Sequence, residues 1–209
     1  RGMKLIRECE RYAGACEDVT SKCYMHMVAA FFNLTVQDLT EMGRHTKSLT
    51  DLANHYSLSF FGDLAAMFQS LLKVGSGDRT GLAELKEVDA SLVAANSLGL
   101  LTIFRAVAGH RALAMGLNEE ALKLANSAQD LITQTGGEWY LSDLHRLYAA
   151  LATADDDAKV AEQQLNTALD VARKQSAKLS ELRTAIDLAR LMQEQERTDE
   201  AIAILKPVS

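Results

Sequence analysis

Apolar residues recur at three- and four-residue spacing along most of the chain, and short polar or small-residue breaks separate the runs. Leu5, Ile6, Cys9 and Tyr12-Ala13 predict an amphipathic segment over residues 1–16. Asp18 or Ser21 can cap the next helix, which runs through Tyr24, Met27, Val28, Phe31 and Phe32 to Asn33. Asp38 opens its partner, with Leu39, Met42, Leu49, Leu52 and Ala53 on one face. Helices over 58–74 and 79–96 form a second hairpin, and helices over 99–115 and 118–134 a third. Trp139, Leu144, Leu147 and Leu151, then Val160, Leu165, Ala168 and Val171, mark a fourth. Leu182, Ile186, Ala189 and Leu191, then Ala201, Ile202 and Leu205, mark a fifth.

The last two hairpins superimpose when one is slid by 40 residues: Ala149 on Ala189, Leu151 on Leu191, Ala161 on Ala201 and Leu165 on Leu205. The same step links Ser57, Ser97, Gly137 and Ala177 at the turns, and Gly81, Ala121, Ala161 and Ala201 on the second helices. On the first helices it links Gln69, Gly109, Ala149 and Ala189, so the small-residue rule fails only at Gln69. In the first hairpin Met42 and Leu49 fall one residue late, as in a degenerate terminal repeat. Facing small residues let the two helices of a hairpin approach closely. A fixed period of this length signals a stacked repeat. The expected fold is all-α: a right-handed α-solenoid of about five antiparallel hairpins, with residues 1–16 as a leading helix or linker and 17–209 as the repeat domain. Its units are expected at about 17–56, 57–96, 97–136, 137–176 and 177–209. A HEAT-like stack also suits the period, but the Ala149/Ala161 pairing argues against it.

Composition narrows the function classes. Hydrophobic residues make up 48% of the 209, with one proline and twelve glycines, which suits long helices. The formal charge of -6 disfavours direct binding to nucleic acid or an anionic membrane. With no apolar run of about 18 residues and no secretory leader pattern, a cytoplasmic location is expected. Cys9, Cys16 and Cys23 are seven apart, a rise of about 10.5 Å along a helix, so neither a disulfide nor a shared metal is expected.

The pattern Ala149, Ala161, Leu165, Ala168, repeated as Ala189, Ala201, Leu205, Val208 with Pro207 beside its end, resembles the tetratricopeptide repeat. The standard unit is shorter; the longer helices resemble variants found in bacterial signal-transduction ATPases. Ser21-Lys22-Cys23-Tyr24, Gly116-Leu117 before Asn118-Glu119-Glu120-Ala121, Gly137-Glu138-Trp139 before Leu144-His145-Arg146-Leu147, and 161–175 resemble the C-terminal region of large bacterial regulators. Such proteins join a DNA-binding or nucleotide-cyclase domain to an ATPase and then to repeats. The resemblance covers residues 17–209, and it implies that any chemistry lies upstream of Arg1 and that the chain is a fragment at both ends.

Motifs for catalysis are weak. Val74-Gly75-Ser76-Gly77-Asp78-Arg79-Thr80-Gly81 lacks the Lys-Ser/Thr of a phosphate loop and follows a helix, so it reads as a hairpin turn. His26, His45, His55, His110 and His145 include no pair spaced to aim two imidazoles from one helix at a metal. Asp155-Asp156-Asp157 reads as a helix start. If the stack coils, the first helix of each hairpin lines the concave face, and the residues three before, one after and four after the small position point there. That projection selects Ala106, His110 and Leu113, then Arg146 and Thr153, then Ile186, Arg190 and Gln193. Arg146 and Arg190 would either clamp carboxylates of an acidic peptide or pair with neighbouring acids. Trp139 is expected to pack between units. The expected function is a non-catalytic interaction scaffold with no cofactor and no metal. Its partner would be a protein or peptide, including the parent chain's own ATPase or effector domains. A small-effector sensor and a homo-oligomerisation module are the alternatives.

Overall fold

The computed structural model describes residues 2–206, with side chains from Lys4 onward; Arg1, Pro207, Val208 and Ser209, and the repeat register expected at the last three, lie outside the described residues. Among the described residues there are eleven α-helices and no strand. They are α1 (Gly2–Ala15), α2 (Val19–Val36), α3 (Leu39–His55), α4 (Ser59–Gly75), α5 (Thr80–Ala94), α6 (Leu101–Ala114), α7 (Asn118–Thr135), α8 (Leu141–Ala154), α9 (Ala158–Lys174), α10 (Lys178–Glu194) and α11 (Thr198–Leu205). A 3-10 turn, Glu138–Tyr140, precedes α8.

The breaks between helices share one chemistry. Residues Gln37, Ser57, Gly77, Asn96, Gly116, Asp156, Ser176 and Glu196 have positive φ. In each case the next residue's N–H returns to the carbonyl five positions earlier, as in Leu58 N to Ala53 O (2.9 Å) and Asp157 N to Ala152 O (2.8 Å). This closure satisfies carbonyls that a helix end would otherwise leave open. The end of α7 differs: Gly136 is left-handed, and the 3-10 turn follows it. Of the residues expected at the turns, Ser57 is itself left-handed, and Ser97, Gly137 and Ala177 do stand between helices. The left-handed residue at these sites is Asn96, Gly136 or Ser176, and the small residue follows it. Helix starts at α2, α3 and α9 are capped by Asp18, Asp38 and Asp157, whose carboxylates accept from Ser21 N, Glu41 N and Val160 N. Of the two expected caps for α2, Asp18 is the one used.

The helices group into two compact units, residues up to Ser97 and residues from Leu98. In the first, α1 packs on α2, and α2 to α5 pack in chain order, with α2 also touching α4. Phe68, Met42, Leu49, Met67, Leu85 and Leu92 are its fully buried large side chains. In the second, α6 to α11 pack in chain order, and α8 touches both α6 and α10. Phe104, Leu101, Ile103, Leu144, Leu147 and Leu188 form its centre. Ala149, Ala161, Ala189 and Ala201 are buried together beside Leu165 and Leu191.

Two glycines mark close helix approaches. A Cβ on Gly109 would lie 2.5 Å from Leu147 Cδ2 and 3.5 Å from the Ala121 carbonyl oxygen. A Cβ on Gly81 would meet the Ser70 carbonyl oxygen at 2.6 Å and Val74 Cγ2 at 2.8 Å. The small residue facing Gly81 is therefore buried Ser70, one place after the expected Gln69, which is exposed and donates from Nε2 to Thr50 Oγ1 (2.9 Å). Similar polar links join His26 to His45 (3.1 Å between Nδ1 atoms) and His145 Nδ1 to Gln164 Oε1 (2.7 Å), each across 19 residues. Trp139, expected to be packed, is 49% exposed. It sits on the 3-10 turn ahead of α8, outside that helix's buried stripe, and meets Tyr140 edge to face.

Candidate functional site

Within the second unit, α6, α8 and α10 present side chains to one cleft of about 330 Å3, with Leu165 of α9 on its floor. Four expected residues line it: His110, Arg146, Thr153 and Arg190. Ile186, partly buried, and exposed Gln193 do not. Ala106 is buried and Leu113 partly buried, and neither lines the cleft. The stripe from α8 is Arg146, Ala149, Ala150 and Thr153, of which Arg146 and Thr153 are the two projected residues. The stripe from α10 is Asp187, Arg190, Leu191 and Glu194, shifted round the helix from the projected one. α8 touches both α6 and α10, so α8 and α10 meet the cleft on different edges of the same kind of face, and one residue turns a helix by about 100°.

Arg146 is the structural centre of the site. Its Nε and Nη2 donate to Asp187 Oδ2 (2.8 and 2.6 Å), and its Nη1 donates to Asp143 Oδ1 (2.9 Å). Its side chain is 16% exposed and that of Asp143 only 6%. Burial opposes the guanidinium charge, but Asp187 and Asp143 more than offset it and hold the pKa above its ordinary value. The other Asp143 oxygen accepts from Ser180 Oγ (2.8 Å), so α8 and α10 are tied at two points. Arg190, by contrast, is 73% exposed, and its nearest carboxylate oxygen, Asp187 Oδ1, is 3.9 Å away.

His110 closes the α6 side. Its Nε2 lies 3.3 Å from the Asp143 carbonyl oxygen. A carbonyl only accepts, so Nε2 carries the proton and Nδ1 is left as an acceptor. Burial, and then the Arg146 charge, push the imidazole pKa down to about 4, so the ring is neutral near pH 7. Thr153 spends its hydroxyl proton on the Ala149 carbonyl (3.0 Å), which leaves its oxygen free to accept. Asp143, Asp187 and Ser180 were missed by the sequence reading. Their signal was an acid three residues before Arg146 and another 41 residues after it.

The first unit holds an apolar groove of about 480 Å3 between α1 and α2, lined by Ile6, Cys9, Tyr12, Cys16, Tyr24 and Val28 among others. Cys9 is exposed, Cys16 partly buried and Cys23 buried, all as free thiols. Among the described residues, no group of three or more His, Cys, Asp or Glu side chains is arranged to hold a metal ion. No helix among them is long and apolar enough to cross a membrane. No protein-family model, curated protein or solved structure matches the chain.

Proposed function

We propose that the chain is a non-catalytic, tetratricopeptide-like scaffold that holds a protein or peptide segment in the α6/α8/α10 cleft. The observation that carries this reading is the convergence of His110, Arg146, Thr153 and Arg190 on one recess built from alternate helices. A repeated hairpin of about 40 residues, stacked as a right-handed solenoid over residues 17–209, is part of the same reading. Its support is the series of left-handed closures at 37, 77, 116, 156 and 196, and at 57, 96, 136 and 176. The proposed setting is the cytoplasmic, C-terminal part of a larger bacterial regulator, whose other domains are candidate occupants. Small-effector sensing is the second reading, favoured by the modest cleft volume. End-to-end assembly of copies is the third.

The test is a screen of a random peptide library against the chain, followed by an Ala150→Trp variant that fills the cleft. Peptides that bind should lose affinity tenfold or more, a change of about 1.4 kcal/mol, while the far-UV circular dichroism stays unchanged. Binding that survives the tryptophan places the interaction elsewhere and removes this cleft from the proposal.

A further inference from the structure

The expected arginine clamp for an acidic partner does not match the chemistry the cleft exposes. Arg146 is committed to two carboxylates, so two negative charges surround one positive one at the inner wall. Asp187 takes both Arg146 bonds on Oδ2, and among the described residues Oδ1 faces the Arg190 nitrogen at 3.9 Å, beyond hydrogen-bonding reach. Nδ1 of His110 is a second acceptor without a hydrogen-bond partner among the described residues. Thr153 Oγ1 has spent its proton inward, and Glu194 adds an exposed carboxylate at the rim. Against these acceptors stands one exposed cation, Arg190, which hangs beside the Asp187 oxygen. Ala149, Ala150, Leu165 and Leu191 supply an apolar floor.

We infer that the cleft recognises a peptide segment presenting an arginine or lysine side chain beside an apolar one. The partner's cation takes the place next to Asp187 Oδ1 that Arg190 loosely fills, and its apolar neighbour covers Leu165 and Leu191. This rests on the reading of the cleft as a peptide site and reverses the charge expected of its occupant. Arg190 becomes a gate that competes with the ligand, and Glu194 becomes an attractive rim charge. At pH 7 the neutral His110 ring adds no positive charge to oppose a cation.

The two polarities make opposite predictions for one substitution. A short blocked peptide with a central arginine flanked by leucines, and its glutamate counterpart, are titrated into the whole chain at pH 7 and followed by NMR. The arginine peptide should shift the His110 ring and Ala150 methyl signals. Its affinity should rise by a factor of about 2–5 in Arg190→Gln and fall by a similar factor in Glu194→Gln, the range for exposed charge pairs. Both side chains are exposed, so neither change removes a buried contact. If the glutamate peptide shifts the same signals and Arg190→Gln weakens it, the cleft stands as a peptide site but the inferred polarity is overturned. Arginine-peptide binding indifferent to both substitutions also overturns it. Failure of both peptides to shift His110 or Ala150 removes the peptide-site reading and the inference together.

Discussion

Gly81 sets two residue-scale effects against each other. Alanine in a helix interior is favoured over glycine by about 1 kcal/mol, and Gly81, the second residue of α5, stands to gain less than that. The new methyl group, however, would sit 2.6 Å from the Ser70 carbonyl oxygen and 2.9 Å from Lys73 Cβ, atoms of a neighbouring helix that cannot turn aside. Overpacking of this kind costs about 1–3 kcal/mol, so Gly81→Ala is expected to lower the urea midpoint despite the gain in propensity. At Gly109 the closest atom is a leucine side-chain terminus, Leu147 Cδ2, and the nearest backbone atom is 3.5 Å away. Gly109→Ala should therefore lose less than Gly81→Ala. Equal losses in the two variants would show that the helix pairs are not closer at Gly81.

Between elements, the His26–His45 contact joins α2 to α3 under the edge of α1. Glu10 of α1 faces it, with Glu10 Oε1 3.5 Å from His45 Nε2, and Arg44 and Glu41 face it from α3. Arg44 Nη2 lies 2.9 Å from His45 Nε2 and can only donate. His45 therefore keeps its proton on Nδ1 and gives it to Nδ1 of His26. Burial first, then the neighbouring His45 and Arg44, push His26 down to about 4, and burial followed by Arg44 lowers His45 as well. Below about pH 6.5 the unfolded chain takes up protons that the folded pair refuses, so stability is full above that value and falls as pH drops towards about 4. Urea midpoints at pH 7.5, 6 and 5 should decline in that order. His26→Gln should reduce the decline while preserving the pH 7.5 midpoint, because His145 and Gln164 already make the same kind of link. A decline as steep in the variant would assign the pH dependence to other groups, with His110 the first to consider.

Seen as a whole, the molecule shows which features a single sequence discloses. The caps at Asp18, Asp38 and Asp157 and the polar or glycine breaks are local chemistry, and the helix order follows from them. His110, Arg146, Thr153 and Arg190 were legible because the hairpin offset projects them onto one side. The partners of Arg146 were not, since Asp187 meets it only once α8 and α10 are packed against each other. Nor was the charge sense of the cleft, which depends on how each proton and lone pair is spent across three helices. Trp139 escaped the pattern because it belongs to a 3-10 turn, where the helical spacing of buried residues does not apply. Gln69 escaped because the two helices of the second hairpin meet one residue further on, at Ser70.

The polar links spaced 19 residues apart bear on how such a chain finds its fold. Helices with similar alanine and leucine faces can pair with the wrong helix or in the wrong register, and apolar contact alone distinguishes them poorly. His26 with His45 and His145 with Gln164 are part-buried pairs of different chemistry, so helices packed on the wrong partner leave these groups unsatisfied, whereas the exposed Thr50–Gln69 link carries no such penalty. The two part-buried pairs are expected to specify helix pairing more than to add stability. Replacing His26 and His45 together by leucine should leave the pH 7.5 midpoint equal or higher, as expected when a buried polar pair gives way to packed apolar groups. The same variant should refold from urea to a larger fraction of soluble misfolded or associated species, resolved by size-exclusion chromatography. Refolding as uniform as that of the parent chain would show that the leucine and alanine faces identify their own neighbours.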